Sequence, residues 1–154
     1  MPFALTIPQY IALLAVVIGT FSDVRSRIIP NWLTFGTAIL GLACHAFLGN
    51  FLWSIIGLIC GLALVTLPNL LQKKAFMAGG DAKLWAALGA CLLLKQMLIS
   101  WFYFSLVFGL VSIYKVFIKK EPGKSYIPLA PMIAIGTFLG VFFDQPLLLL
   151  LGVK

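Results

Sequence analysis

Asp23, in "TFSDVRSRIIPNW", and Asp81, in "MAGGDAKLW", are two of only four acidic side chains in 154 residues. They stand 58 residues apart, and each sits where a long apolar run meets a polar, basic stretch. Two carboxylates held close in a low-dielectric setting do not easily both ionise, so one pKa rises and the pair shares a proton. The ionised member of such a pair takes a proton from water. The protonated member donates to a carbonyl oxygen and later protonates a leaving amine. That chemistry cleaves peptide bonds with neither a nucleophilic side chain nor a metal. Each acid alone also has a plainer reading. Asp23 can pair with Arg25 or Arg27 at the lipid headgroups, and Asp81 can cap the helix that "AKLWAALGACLLL" forms, at its positive dipole end. An ionisable group near membrane depth is nonetheless a functional candidate, because inserting one at mid-span costs about 2.5–3.5 kcal/mol.

Other chemistries find few residues to use. His45 is the single histidine and lies inside the apolar run "GLACHAFLG", where bonding to a neighbouring helix is the expected role. A serine–histidine or cysteine–histidine apparatus therefore has little to build on. Cys44, Cys60 and Cys91 stand singly in apolar runs, with no C-x-x-C pair, so they read as small buried side chains, and neither zinc nor a disulfide framework is expected. The "AGGDAK" stretch lacks the full phosphate-loop pattern, and no strand precedes it.

The elements that must position the two acids are set by composition. The chain is 62% hydrophobic and 10% charged, whereas soluble domains are about a quarter charged. So few charges cannot cover so much apolar surface in water, and lipid is the expected solvent for most of the chain. The expected fold is all-α: one polytopic membrane domain over residues 1–154, with about six transmembrane helices. The spans read as roughly 3–22, 32–49, 51–71, 81–95, 98–118 and 129–151, with a tight turn at Lys95-Gln96 between the fourth and fifth. A five-span alternative stays open because the fourth is short. The first run reads as a transmembrane helix rather than a removed signal, since no basic side chain precedes it and no small-x-small cleavage site follows. Pro30 cannot sit inside a helix, and Asn31 is a natural cap for one starting at Trp32.

The net charge of +7 does not point to nucleic acid, since no basic face with interleaved aromatics is present. Arg25 and Arg27 fall in the first connection, Lys73, Lys74 and Lys83 at the third, and Lys119, Lys120 and Lys124 in the fifth. Those eight mark the cytoplasmic side, against Lys95 and Lys154 opposite, with Lys115 near the inner end of the fifth span. Both termini then face outward, and Asp23 and Asp81 share the cytoplasmic boundary. Gly79 and Gly80 supply backbone freedom and little bulk, so another helix or an extended peptide can come close to Asp81.

"SDVRSRIIPNWLT" followed by "AGGDAKL" resembles the type IV prepilin peptidases, aspartic proteases of bacterial inner membranes. The likeness is closest to their small single-domain members, which serve adhesive pili of the tight-adherence (Flp) class. "IPLAPMIAIG" at 127–136 is similar to that family's late helix, so the resemblance covers nearly the whole chain. It implies that Asp23 and Asp81 are catalytic, with Pro30, Asn31, Gly79, Gly80 and Lys83 as supporting or substrate-binding residues. Ala78 stands where the family's second motif usually begins with glycine. Larger relatives carry an extra cytoplasmic domain with paired cysteines and methylate the new N-terminus. The first cytoplasmic loop here is about nine residues with no cysteine, which implies peptidase activity alone, with no cofactor: neither S-adenosylmethionine nor zinc.

The implied partner is a prepilin, with a short basic leader before a hydrophobic helix, cut at the cytoplasmic boundary. Lys83 has two readings, a snorkelling interfacial lysine or a contact to substrate or phospholipid. From a different class, a small channel or transporter would use Asp23 and Asp81 as a cation or proton relay, and a scaffold is the third option. A relay places carboxylates along a path through the bilayer, whereas here both acids lie at one face, with Asp144 alone near the other.

Overall fold

The computed structural model describes residues 5–72, 79–118 and 129–143. Ala78 and Asp144, together with Lys73, Lys74, Lys119, Lys120, Lys124 and Lys154 of the charge pattern, lie outside the described residues.

Helix α1 (Ile7–Ser26) begins with Pro8 in its first turn, where a missing N–H costs no hydrogen bond. Gln9 Oε1 accepts the Thr6 N–H there, at 2.8 Å. The helix runs past Asp23 and ends at Arg27, left-handed at φ 55°, whose N–H donates to the Asp23 carbonyl at 2.9 Å. An extended Pro30 leads into α2 (Asn31–Phe47), and a turn with Gly49 at φ 72° leads into α3 (Phe51–Gln72). The long α4 (Gly79–Ile113) continues into a π-helical turn, Tyr114–Ile118, and α5 spans Ala130–Phe142. Every described element is helical.

Three of these helices are long and apolar enough to cross a membrane: α1, α3 over Phe51–Leu70, and α4. The expected count of about six is not confirmed among the described residues. α2 has 17 residues and α5 has 13, and the expected fourth and fifth spans are two arms of α4. The arms part at Leu93 (φ 61°, ψ 172°), two residues before the expected Lys95-Gln96 turn. The neighbouring helices explain that position. In an unbroken helix the Ala90 and Cys91 carbonyls would serve N–H groups four residues on. Here the Ser54 hydroxyl donates to Ala90 at 2.6 Å, and His45 Nε2 donates to Cys91 at 2.9 Å. His45, in the last turn of α2 rather than mid-span, thus bonds a neighbouring helix. Ser54→Ala leaves the buried Ala90 carbonyl without that donor. It should lower stability by about 1–2 kcal/mol, read as an earlier unfolding midpoint in mixed micelles.

The first arm of α4 is the centre of the bundle. From Asp81 to Leu92 every side chain but Lys83 is buried, as befits a helix that is apolar all round. Helices α1, α2, α3 and α5 all pack on α4. Outward faces carry exposed Leu14, Phe21, Leu52 and Ile59, a surface suited to lipid.

Candidate active site

Three contacts set the direction of α1 against α4. Gln9 Nε2 donates to Gln96 Oε1 at 2.9 Å, near the start of α1. Further along, a Cβ on Gly19 would lie 3.7 Å from Leu84 Cδ2. Beyond the end of α1, Ile29 Cβ lies 3.5 Å from where a Cβ on Gly80 would stand. The order is reversed between the two chains, so the helices are antiparallel. Asp23 lies four residues past Gly19, about 6 Å of helix, and Asp81 lies three residues before Leu84, about 4.5 Å. Both therefore sit at the same end of the bundle, and each is buried at 5% exposure.

Asp23 is held from outside its own helix. Its Oδ2 accepts the Ala130 N–H at 3.3 Å, across 107 residues of sequence. The start of α5 accounts for that donor. Pro131 has no N–H, and those of Met132 and Ile133 go to the Leu129 carbonyl at 3.0 and 2.9 Å. Of these first-turn groups, Ala130 is the one that donates to Asp23. The resemblance reached this helix but not its contact with Asp23. Pro131 near the start of α5 is compatible with a first helical turn, yet nothing local in the sequence names the acid that turn would meet.

Asp81 is the third residue of α4, so the helix opens at Gly79, two residues earlier than expected. Gly79 and Gly80 are thus helical, and the left-handed freedom that glycine offers is not used there. Gly79 is exposed and has open space on its side-chain side, whereas Gly80 rests on Ile29.

Asn31 does not cap α2, contrary to expectation. Pro30 occupies the cap position, its carbonyl accepting the N–H groups of Leu33 and Thr34 at 3.2 and 3.4 Å. That leaves the Asn31 side chain free to turn outward, and its Oδ1 accepts from Lys83 Nζ at 2.9 Å. The same ammonium lies 5.9 Å from the centre of the Phe35 ring. Arg25 and Arg27 are exposed beside this end. Cys44, Cys60 and Cys91 carry free thiols, and Cys91 is buried, its Sγ 3.5 Å from the Thr37 carbonyl. Among the described residues no cluster of three metal-binding side chains occurs.

Fold and site first define a class: an all-helical chain, with helices fit to cross a membrane and two buried aspartates brought to one end of the bundle. The chain belongs to the type IV leader peptidase family, whose sequence pattern matches residues 10–113 and so includes both aspartates. It is also similar to the prepilin peptidase EppA of Methanothermobacter thermautotrophicus, 29% identical over 140 residues. That match covers 88% of this chain and 36% of the relative, so the chain spans about a third of the relative's length. No solved structure matches the chain.

Proposed function

We propose that the chain is an aspartic endopeptidase that removes the basic leader of type IV (Flp-type) prepilins at the cytoplasmic face of the inner membrane. The observation that carries this reading is the convergence of Asp23 and Asp81 at one end of the bundle in a chain of the leader peptidase family. One carboxylate in its ionised form takes the proton of the attacking water, as the water oxygen bonds to the scissile carbonyl carbon. The other, protonated, hydrogen-bonds to the developing oxyanion and then gives its proton to the leaving amine nitrogen as the C–N bond breaks. The substrate's apolar helix stays in lipid while its leader extends into the cytoplasm, and Arg25 and Arg27 act as topology determinants. Both termini of the chain face away from the cytoplasm.

Expression with a candidate prepilin tests the proposal directly. The expected result is a shorter pilin whose new N-terminus begins at the start of the apolar helix. An unprocessed pilin beside abundant, inserted enzyme would defeat the reading. Proton flux into vesicles that depends on either aspartate would favour the relay instead.

Gly79 offers a finer probe. Its side-chain side is open, so Gly79→Ala should leave the fold intact. If the scissile segment lies along this turn, the added methyl displaces it, and cleavage should fall by about 10–100-fold. The cleavage rate and the unfolding midpoint, measured together, check both halves.

A further inference from the structure

We infer that Asn31 and Lys83 are a matched pair of positioning residues that holds the Asp23 end of α1 in register with the first turn of α4. The inference rests on the peptidase reading for its catalytic consequence, though not for the contact itself. Lys83 follows Asp81 by two residues, and Asn31 opens the helix that comes directly after the Asp23 connection. Their side chains meet at 2.9 Å across 52 residues of sequence. Next to this polar contact, Ile29 packs on Gly80, so the two segments touch on both sides of Asn31's backbone neighbour Pro30. Phe35, one turn along α2 from Asn31, sits 5.9 Å beneath the ammonium and limits where it can swing.

The pair is exposed, and an exposed polar contact adds little to global stability. Its effect must therefore be looked for in geometry. Without it, the first turn of α4 keeps its apolar rest on Ile29 and its buried packing but loses the polar tie to the start of α2. Small shifts there translate into displacement of the Asp81 carboxylate, to which the rate is steeply sensitive. Lys83 is thereby assigned to this chain's own architecture rather than to the substrate. An acceptor at 31 and a long cation at 83 are both required, and neither is useful without the other.

The test is a double-mutant cycle on the full chain in lipid nanodiscs, with a prepilin as substrate. Asn31→Leu and Lys83→Met should each lower kcat by about 10–100-fold with KM nearly unchanged. The double variant should be no slower than the worse single one, because each removes the same contact. Asn31→Asp, which keeps an acceptor, should regain most of the rate lost in Asn31→Leu. Multiplicative losses, or a raised KM confined to Lys83→Met, would overturn the pairing and assign Lys83 to the substrate. A second arm needs no activity: a short bifunctional thiol reagent should join Asn31→Cys to Lys83→Cys. Joining without any prepilin cleavage by the parent chain would sink the peptidase reading and leave the contact standing. Failure to join would sink the contact alone.

Discussion

Asp23→Asn and Asp81→Asn should each abolish prepilin processing while the protein stays inserted and abundant. The expected loss for each is about 10²–10⁴-fold or more, the range of general acid–base contributions. Asparagine is the informative replacement because it keeps the shape and an acceptor oxygen. At position 23 the amide oxygen can still accept the Ala130 N–H, so the start of α5 remains anchored. Alanine there would leave that N–H without its acceptor in a buried place and cost about 1–3 kcal/mol, mixing a folding defect into the kinetic one. What asparagine removes is the capacity to gain or release a proton. The double variant should be no slower than either single one, since groups that work on one water fail together. Time courses of processing, normalised to enzyme in the membrane fraction, read these outcomes. Wild-type rates in either single variant would remove the aspartic mechanism.

Why the two acids could be picked out from sequence, and much of their support could not, follows from the range of the forces involved. Charge scarcity is a property of composition, so Asp23 and Asp81 stood out in a chain this apolar. The helical class followed from the same property, since an apolar chain in lipid must satisfy its backbone within its own segments. Boundaries were harder. The break at Leu93 is fixed by Ser54 and His45 taking two carbonyls from other helices, and no local propensity encodes that choice. Lys95-Gln96 looked like the break because polarity was the visible signal, yet Gln96 is satisfied by Gln9 across the bundle. Asn31 was misassigned for a similar reason. Its type suits a cap, but the proline before it already fills that position, which frees its oxygen for Lys83. The Ala130 contact with Asp23 spans most of the chain and could be seen only once the bundle was assembled.

Gly89→Ala should unfold or separate the bundle at the seam between α3 and α4, with a loss of about 3 kcal/mol or more, beyond ordinary overpacking. The two helices cross with Gly57 and Gly89 face to face. A Cβ on Gly89 would collide with the Gly57 carbonyl oxygen and lie 3.1 Å from the Leu58 nitrogen. Gly57 is the mirror case: its Cβ would strike the Gly89 carbonyl oxygen and lie 3.2 Å from the Leu93 carbonyl carbon. These obstacles are backbone atoms, which cannot rotate aside as a side-chain tip can, so relief requires moving the helices apart. Parting them would also break the Ser54 bond to Ala90 one turn away and loosen the support of the Leu93 break. Gly57 and Gly61, four residues apart, have the small-xxx-small spacing of close helix packing, a signal the sequence reading did not use. Gly109 provides the control, because a Cβ there meets nothing within 4 Å. Gly109→Ala should be neutral or stabilising by up to about 1 kcal/mol, the ordinary helix-propensity difference. The same substitution in the same helix is thus expected to act with opposite sign at two positions, and unfolding midpoints in mixed micelles would show it. Equal midpoints for Gly89→Ala and Gly109→Ala would mean that the two backbones do not meet where the fold places them.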